Sequence, residues 1–105
     1  MLIGIVATLY HVKGLEQVLM ALARLQNYSL VIIGDGPAKI HLEQVAKKLN
    51  LNEKILFLGR HLNGYAYFKH FDLYIMSSYS EGFPLSVLEA AAFSVPTICS
   101  KIPVF

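Results

Sequence analysis

The chain has 105 residues, 55% of them hydrophobic and 15% charged, and its formal net charge at pH 7 is +2. This length allows one domain, and so small a charge, with the basic residues scattered, argues against a nucleic-acid-binding protein. No apolar run reaches the 18 or so residues of a membrane span, and the first residues lack the features of a signal peptide, so we expect a cytoplasmic protein. The single cysteine, Cys99, lies in an apolar run and is interpreted as a buried hydrophobic residue rather than a catalytic thiol.

The hydrophobic pattern alternates between strands and helices along the chain. Strands are predicted at 2–7, 29–33, 54–58, 73–76 and 97–99, and helices at 14–27, about 40–49, 63–71 and 84–93. Strands that are apolar almost throughout are typical of a parallel sheet buried on both faces, and right-handed crossovers then give a doubly wound sheet. We therefore predict an α/β, Rossmann-like fold with the strand order 3-2-1-4-5. We also expect some apolar surface to pack against something outside this chain.

Glycines and polar residues follow the end of each predicted strand. They are Thr8, His11, Lys13 and Gly14, then 34–37, then Gly59 and Arg60, then 77–81, then Ser100 and Lys101. Open α/β sheets bind ligands at this carboxyl edge, at the point where the strand order reverses, here between the first and fourth strands. Lys13 and the segment 78–89 are therefore expected to face one crevice, and a diphosphate is the simplest occupant for a cation opposite a helix N-terminus.

Two carboxylates flank the predicted start of the helix at 84–93. Pro84 suits the first helical turn, which puts Glu81 just outside the helix and Glu89 within it. The neighbours of Glu89 are apolar, so an unpaired carboxylate there would carry a heavy desolvation penalty. We expect a ligand or a partner to compensate it.

These residues resemble the donor-binding, C-terminal domain of retaining GT-B glycosyltransferases of group 1, a class also called glycosyltransferase family 4-like. Glu81-x7-Glu89 is similar to the Glu-x7-Glu signature of that family. Four further segments resemble its motifs in the same order: Lys13-Gly14, Ile33-Gly34-Asp35-Gly36-Pro37, Phe57-Leu58-Gly59 and Phe71-Asp72-Leu73-Tyr74. The likeness covers nearly the whole chain but only half of a GT-B fold, so the chain is expected to be a truncated single domain.

The resemblance implies catalytic roles for Glu81 and Lys13. Glu81 would lie near the transferred sugar, and Lys13 would neutralise the leaving diphosphate. In other glycosyltransferases a metal ion neutralises the diphosphate. Since Lys13 would do so here, no metal and no other cofactor is expected. Glu89 would accept hydrogen bonds from the ribose hydroxyls of the nucleotide sugar.

The resemblance also implies further donor-binding residues. The backbone N–H groups of Phe83, Leu85 and Ser86 would bind sugar hydroxyls and the distal phosphate, and Ser78 and Gly82 belong to the same donor-binding segment. Gly59 and Arg60 would lie beside the base, while Gly34 and Gly36 would allow a close backbone approach.

One position departs from the family pattern. The family usually has arginine five residues before the lysine, and here that residue is Thr8. One charge-assisted contact to the diphosphate is worth roughly 1.5–3 kcal/mol, so stabilisation of the leaving group would be weaker. Two alternatives follow: His11 or Arg60 compensates for the missing arginine, or the protein has lost its activity.

The function implied is transfer of a hexose from a nucleotide sugar, with retention, to a glycan or lipid acceptor in the synthesis of cell-envelope polysaccharides. The acceptor would bind an N-terminal domain that this chain lacks, so the 105-residue chain alone is expected to be inactive. Peripheral association of the full-length protein with the inner face of the membrane is a further expectation. Two alternatives stay open: a non-catalytic nucleotide- or partner-binding remnant of the fold, and a GT-B-like sugar-nucleotide epimerase.

Overall fold

The computed structural model describes residues 1–10, 14–60, 67, 69–76 and 94–99. Their strands are β1 (Leu2–Val6), β2 (Ser29–Ile33), β3 (Ile55–Gly59), β4 (Leu73–Met76) and β5 (Thr97–Cys99), and their helices are α1 (Leu15–Leu22) and α2 (Lys39–Lys48). The predicted helix at 84–93 lies outside the described residues, as does most of the one at 63–71.

The five strands form one parallel sheet in the order β3-β2-β1-β4-β5, which confirms the predicted topology. β1 and β2 pair along their whole length, from Leu2 opposite Ser29 to Val6 opposite Ile33. The strand order reverses between β1 and β4, where β1 pairs through Ile3 and Gly4. The carboxyl ends of the described strands therefore meet at one edge of the sheet.

The core lies on both faces of the sheet, as the apolar strand sequences predict. On one face, α1 and α2 cover β1 and β2, and α1 buries residues spaced three, one and three apart along one side. The buried residues of this cluster include Ile3, Ile5, Leu15, Val18, Leu19, Leu22, Leu30, Ile32, Leu42 and Ala46. The opposite face holds a second cluster of Val31, Ile33, Phe71, Tyr74 and Val95. Each fully buried aliphatic or aromatic side chain stabilises the fold by about 1.5–3 kcal/mol.

The edge strands are less well covered than the central ones. Leu56 of β3 is 58% exposed and Ile98 of β5 is 56% exposed, whereas Ile3 and Ile32 of the centre are at most 1% exposed. Among the described residues, the centre of the sheet is buried on both faces, as expected. Apolar side chains are exposed on the edge strands, and their packing against something outside this chain stays a prediction.

Helix α1 ends earlier than its sequence pattern predicts, at Leu22 instead of Asn27. The carbonyl of Leu22 accepts hydrogen bonds from the N–H of Leu25, at 3.0 Å, and from the hydroxyl of Tyr28, at 2.9 Å. Asn27 then adopts a left-handed conformation, with φ 63°, that turns the chain into β2. The remaining boundaries differ from the predicted ones by about one residue.

Residues of β4 and of the segment just before it hold β4 against β1. The carboxylate of Asp72 accepts a hydrogen bond from the backbone N–H of Leu2 at 2.6 Å. The backbone N–H of Asp72 donates to the Leu2 carbonyl at 2.7 Å. Gly4 lies under the ring of Phe71, where a Cβ would overlap the ring atoms. The hydroxyl of Tyr74 donates to the carbonyl of Val6 at 3.1 Å, which fixes the end of β1.

Candidate functional site

A cleft of about 650 Å³ opens at the carboxyl edge of the sheet, above the ends of β1, β2 and β3. Its lining residues come from the last residues of β1 and β2 and from the segments that follow β1, β2 and β3: Val6, Ala7, Thr8, Tyr10, Ile33, Gly34, Asp35, Gly36 and Arg60. The volume lies within the range of small-molecule sites, roughly 300–1,000 Å³. The cleft lies on the β2 side of the switch point between β1 and β4.

Backbone hydrogen bonds join the loop after β1 to the turn after β2. Ala7 N–H donates to the Ile33 carbonyl and Leu9 N–H to the Asp35 carbonyl, both at 3.0 Å. Ala38 N–H donates to the Leu9 carbonyl at 2.9 Å, and the Leu9 side chain is fully buried. The floor of the cleft is therefore an extension of the sheet rather than a pair of independent loops.

Gly34 and Gly36 make this close junction sterically feasible. Gly34 has φ +147°, and a Cβ there would overlap the Ala7 carbonyl oxygen. A Cβ on Gly36 would lie 2.6 Å from the Leu9 carbonyl oxygen. In the structure, the close backbone approach that these glycines permit is thus to the neighbouring loop, and their contact with a donor stays a prediction.

The third side of the cleft is formed by Arg60, which directly follows Gly59, the last residue of β3. The Gly59 carbonyl accepts a hydrogen bond from Gly34 N–H at 2.7 Å, which links the end of β3 to the same junction. Gly59 has φ +77°, a conformation that glycine adopts without penalty, and the chain then presents Arg60 to the cleft. Arg60 is exposed.

The described lining carries one cation, Arg60, and one anion, Asp35. Asp35 accepts a hydrogen bond from Gly36 N–H through its Oδ1, at 2.8 Å, so part of its capacity is used inside the turn. Within the described residues, the Arg60 guanidinium has no carboxylate partner. It is therefore available for an anionic or hydrogen-bond-accepting ligand.

Tyr10 lines the cleft although the sequence analysis did not single it out. The signal that could have identified it is its position two residues after Thr8, in the loop at the binding edge. Asp35 was recognised only as part of the glycine-rich turn. Among the predicted site residues, the structure brings Gly34, Gly36 and Arg60 to the lining of this cleft, together with Thr8. Gly59 does not line the cleft but is hydrogen-bonded to Gly34.

The other predicted site residues lie outside the described residues, and so does His11. They are Lys13, Ser78, Glu81, Gly82, Phe83, Leu85, Ser86 and Glu89. His41 is exposed, and its Nε2 lies 3.1 Å from Oε2 of Glu16. The described residues contain no cluster of His, Cys, Asp or Glu that could hold a metal ion, and no helix among them is long and apolar enough to span a membrane.

Comparison with known proteins assigns the chain to a family. Residues 1–105 match the family described as "Glycosyl transferases group 1". The O-antigen biosynthesis glycosyltransferase WclY of Escherichia coli is 33% identical over 104 residues, which cover 99% of this chain and 30% of WclY. The putative glycosyltransferase EpsF of Bacillus subtilis is 35% identical, over 95% of this chain and 27% of EpsF. The chain thus spans less than a third of the length of these relatives.

Solved structures show the same fold. HepE of Anabaena, in complex with UDP and glucose, matches 98% of this chain and 30% of its own with a TM-score of 0.90 and 23% identity. The C-terminal domain of a group 1 glycosyl transferase, LpcC of Francisella tularensis, matches 93% of this chain and 56% of its own with a TM-score of 0.82 and 26% identity.

Proposed function

The chain belongs to the group 1 glycosyl transferases, and from that premise we propose that it is the donor-binding domain of a retaining enzyme that transfers a hexose from a nucleotide sugar to a glycan or lipid acceptor. The observation that carries the proposal is the cleft at the carboxyl edge of β1, β2 and β3, with Arg60 on its lining and no carboxylate beside Arg60 in the part of the chain that the structure describes. This is the edge at which parallel α/β sheets bind nucleotides.

The position of the cleft supports an arrangement of the donor along this edge. The cleft lies above β2, whereas the switch point lies one strand away, between β1 and β4. A diphosphate at the switch point would extend the nucleoside towards β2 and β3. Gly59 and Arg60 would then lie beside the base, as the family resemblance implies.

The residues that follow β1 and β4 complete the proposal. Lys13 would stabilise the charge that develops on the leaving diphosphate, without a metal or other cofactor. Glu81 would position the transferred sugar, and Glu89 would accept hydrogen bonds from the ribose hydroxyls. Backbone N–H groups at Phe83, Leu85 and Ser86 would bind the sugar and the distal phosphate, beside Ser78 and Gly82.

The acceptor belongs to cell-envelope polysaccharide synthesis in this proposal, at the cytoplasmic face of the membrane. The support comes from the names of the relatives, which include WclY and a Campylobacter jejuni N-acetylgalactosaminyltransferase acting on a diphospho-undecaprenol acceptor, 37% identical over 91 residues. Acceptor binding is assigned to the part of the relatives that this chain does not match.

A non-catalytic nucleotide-binding domain is the second candidate. Thr8, in the family's arginine position, lines the cleft and supplies no charge there. Arg60 is the cation that the described lining offers instead, from the end of β3. Binding without transfer in the full-length protein would favour this candidate.

Isothermal calorimetry with UDP, GDP, ADP and their hexose conjugates tests the proposal. We expect binding of at least one nucleoside diphosphate at millimolar ligand or below. Glu89→Ala should weaken that binding, since a charge-assisted contact is worth about 1.5–3 kcal/mol, and Glu81→Ala should weaken mainly the sugar conjugate.

Met20→Ala is the matched control, because Met20 lies on α1 outside the cleft and is 57% exposed. Its affinities should equal those of the wild type. No detectable binding of any of these nucleotides to the wild-type chain would overturn the proposed function.

A further inference from the structure

Tyr10 is a large aromatic residue whose exposure has no structural explanation in the fold. Its side chain is 50% exposed, while its neighbour Leu9 is fully buried. Among the described residues, the Tyr10 hydroxyl has no hydrogen-bond partner. The ring lines the cleft and also borders the small groove between the first turns of α1 and α2. Tyr10 therefore adds an apolar surface to the cleft without contributing to the core.

The backbone that carries Tyr10 is held in place from several directions. Its own N–H donates to the Thr8 carbonyl at 3.0 Å, and both backbone groups of Leu9 bond to the segment after β2. The steric fit of Gly34 and Gly36 against Ala7 and Leu9 fixes the same junction. A ring on such a support loses little conformational entropy when it contacts a ligand, which is how preorganised sites gain affinity.

The topology indicates which part of a ligand this ring would meet. Tyr10 follows β1 and Arg60 follows β3, so the two residues border the cleft from either side of β2. This part of the sheet edge lies on the β2 and β3 side of the switch point, and β4 lies on the other side. In the proposed arrangement it receives the nucleoside, because the diphosphate occupies the switch point itself.

We propose that Tyr10 is a binding residue for the nucleoside base of the donor, and that its ring stacks on the face of the base while Arg60 lies at the base's edge. This inference rests on the proposed function. Every nucleobase has a π-face, so the ring contributes affinity with little discrimination among bases. Discrimination then depends on hydrogen bonds from the β3 side of the cleft.

The test combines calorimetry with proton NMR of the bound nucleotide. The nucleoside diphosphate that binds the wild-type chain best is titrated into Tyr10→Ala, Tyr10→Phe and the control Met20→Ala. Stacking on an aromatic side chain predicts a loss of about tenfold or more in affinity for Tyr10→Ala. Tyr10→Phe and Met20→Ala should bind like the wild type.

The base protons should shift upfield on binding to the wild type and to Tyr10→Phe, but not to Tyr10→Ala, because the ring current of Tyr10 is then missing.

Three results would overturn the inference. The first is an unchanged affinity of Tyr10→Ala, and the second is an equal loss in Tyr10→Phe, which would assign the contact to the hydroxyl. The third is the same shift of the base protons in the wild type and in Tyr10→Ala, which would mean that the ring acts on binding from a distance. Failure of the proposed function is recognised separately, because the wild-type chain would then bind no nucleotide at all.

Discussion

Gly34 combines a backbone conformation and a neighbour that both exclude a side chain. Its φ is +147°, and a Cβ would overlap the carbonyl oxygen of Ala7. Gly34→Ala should therefore displace the loop after β1 and lower the free energy of unfolding by about 3 kcal/mol or more. Urea denaturation followed by circular dichroism measures the loss.

Gly59→Ala is the control for this prediction. Gly59 also has a positive φ, +77°, but a Cβ there would meet nothing within 4 Å. Only the conformational penalty remains, about 1–2 kcal/mol. If Gly34→Ala cost no more than Gly59→Ala, the junction between the two loops would not have the rigidity assigned to it.

At the level of secondary-structure elements, the end of α1 depends on Tyr28, the residue that directly precedes β2. Tyr28 is 6% exposed, and its hydroxyl donates to the carbonyl of Leu22, the last residue of the helix. Lys54 Nζ lies 5.1 Å from the centre of its ring. Tyr28 thereby joins α1 to the start of β2.

Burial raises the pKa of Tyr28 above its ordinary value of 10.0. The folded state therefore holds this proton more tightly than the unfolded state, and the corresponding stability is fully present below about pH 10 and is lost as pH rises further. At neutral pH, Tyr28→Phe should be less stable than the wild type by about 1 kcal/mol, the net worth of the hydrogen bond. The gap between the two should narrow above about pH 10 in urea denaturation. A gap that stayed constant or widened would contradict this account.

The sequence predicts the strands better than the ends of the helices. β2, β4 and β5 have the predicted bounds, because an apolar run ended by glycine or polar residues is visible locally. The end of α1 was not predictable from periodicity, since Leu25 continues the helical spacing but is 50% exposed. The helix ends where the Tyr28 hydroxyl donates a hydrogen bond to the Leu22 carbonyl. This contact depends on the tertiary structure, so the hydrophobic periodicity does not reveal it.

The candidate site was predictable in position and less so in detail. Polar residues and glycines after the strands correctly indicated the edge at which the cleft lies, with Gly34, Gly36 and Arg60 on its lining. The steric partner of Gly34 could not be read from the sequence, because it depends on the register between β1 and β2. Tyr10 was missed because an aromatic residue in an apolar chain is usually part of the core.

At the scale of the whole molecule, both edge strands of the sheet carry an uncovered apolar residue. Leu56 and Ile98 are each more than half exposed on β3 and β5, while the centre is closed on both faces. The chain spans 30% of WclY and 27% of EpsF, so most of each relative has no counterpart in the matched segment. In the proposed function this segment supplies the donor edge, and the exposed edge strands offer apolar surface for contact with other residues.

We therefore predict that the 105-residue chain binds a donor but does not transfer its sugar. Transfer needs the acceptor held against the donor in reactive geometry, and such positioning can supply roughly 7–11 kcal/mol of the barrier. In the proposed function, the acceptor site belongs to the part of the relatives that this chain does not match. Assays with a panel of nucleotide sugars and crude lipid or glycan acceptors should show no release of nucleoside diphosphate above background. Release in step with glycoside formation, abolished by Glu81→Ala, would show instead that the matched segment suffices for catalysis.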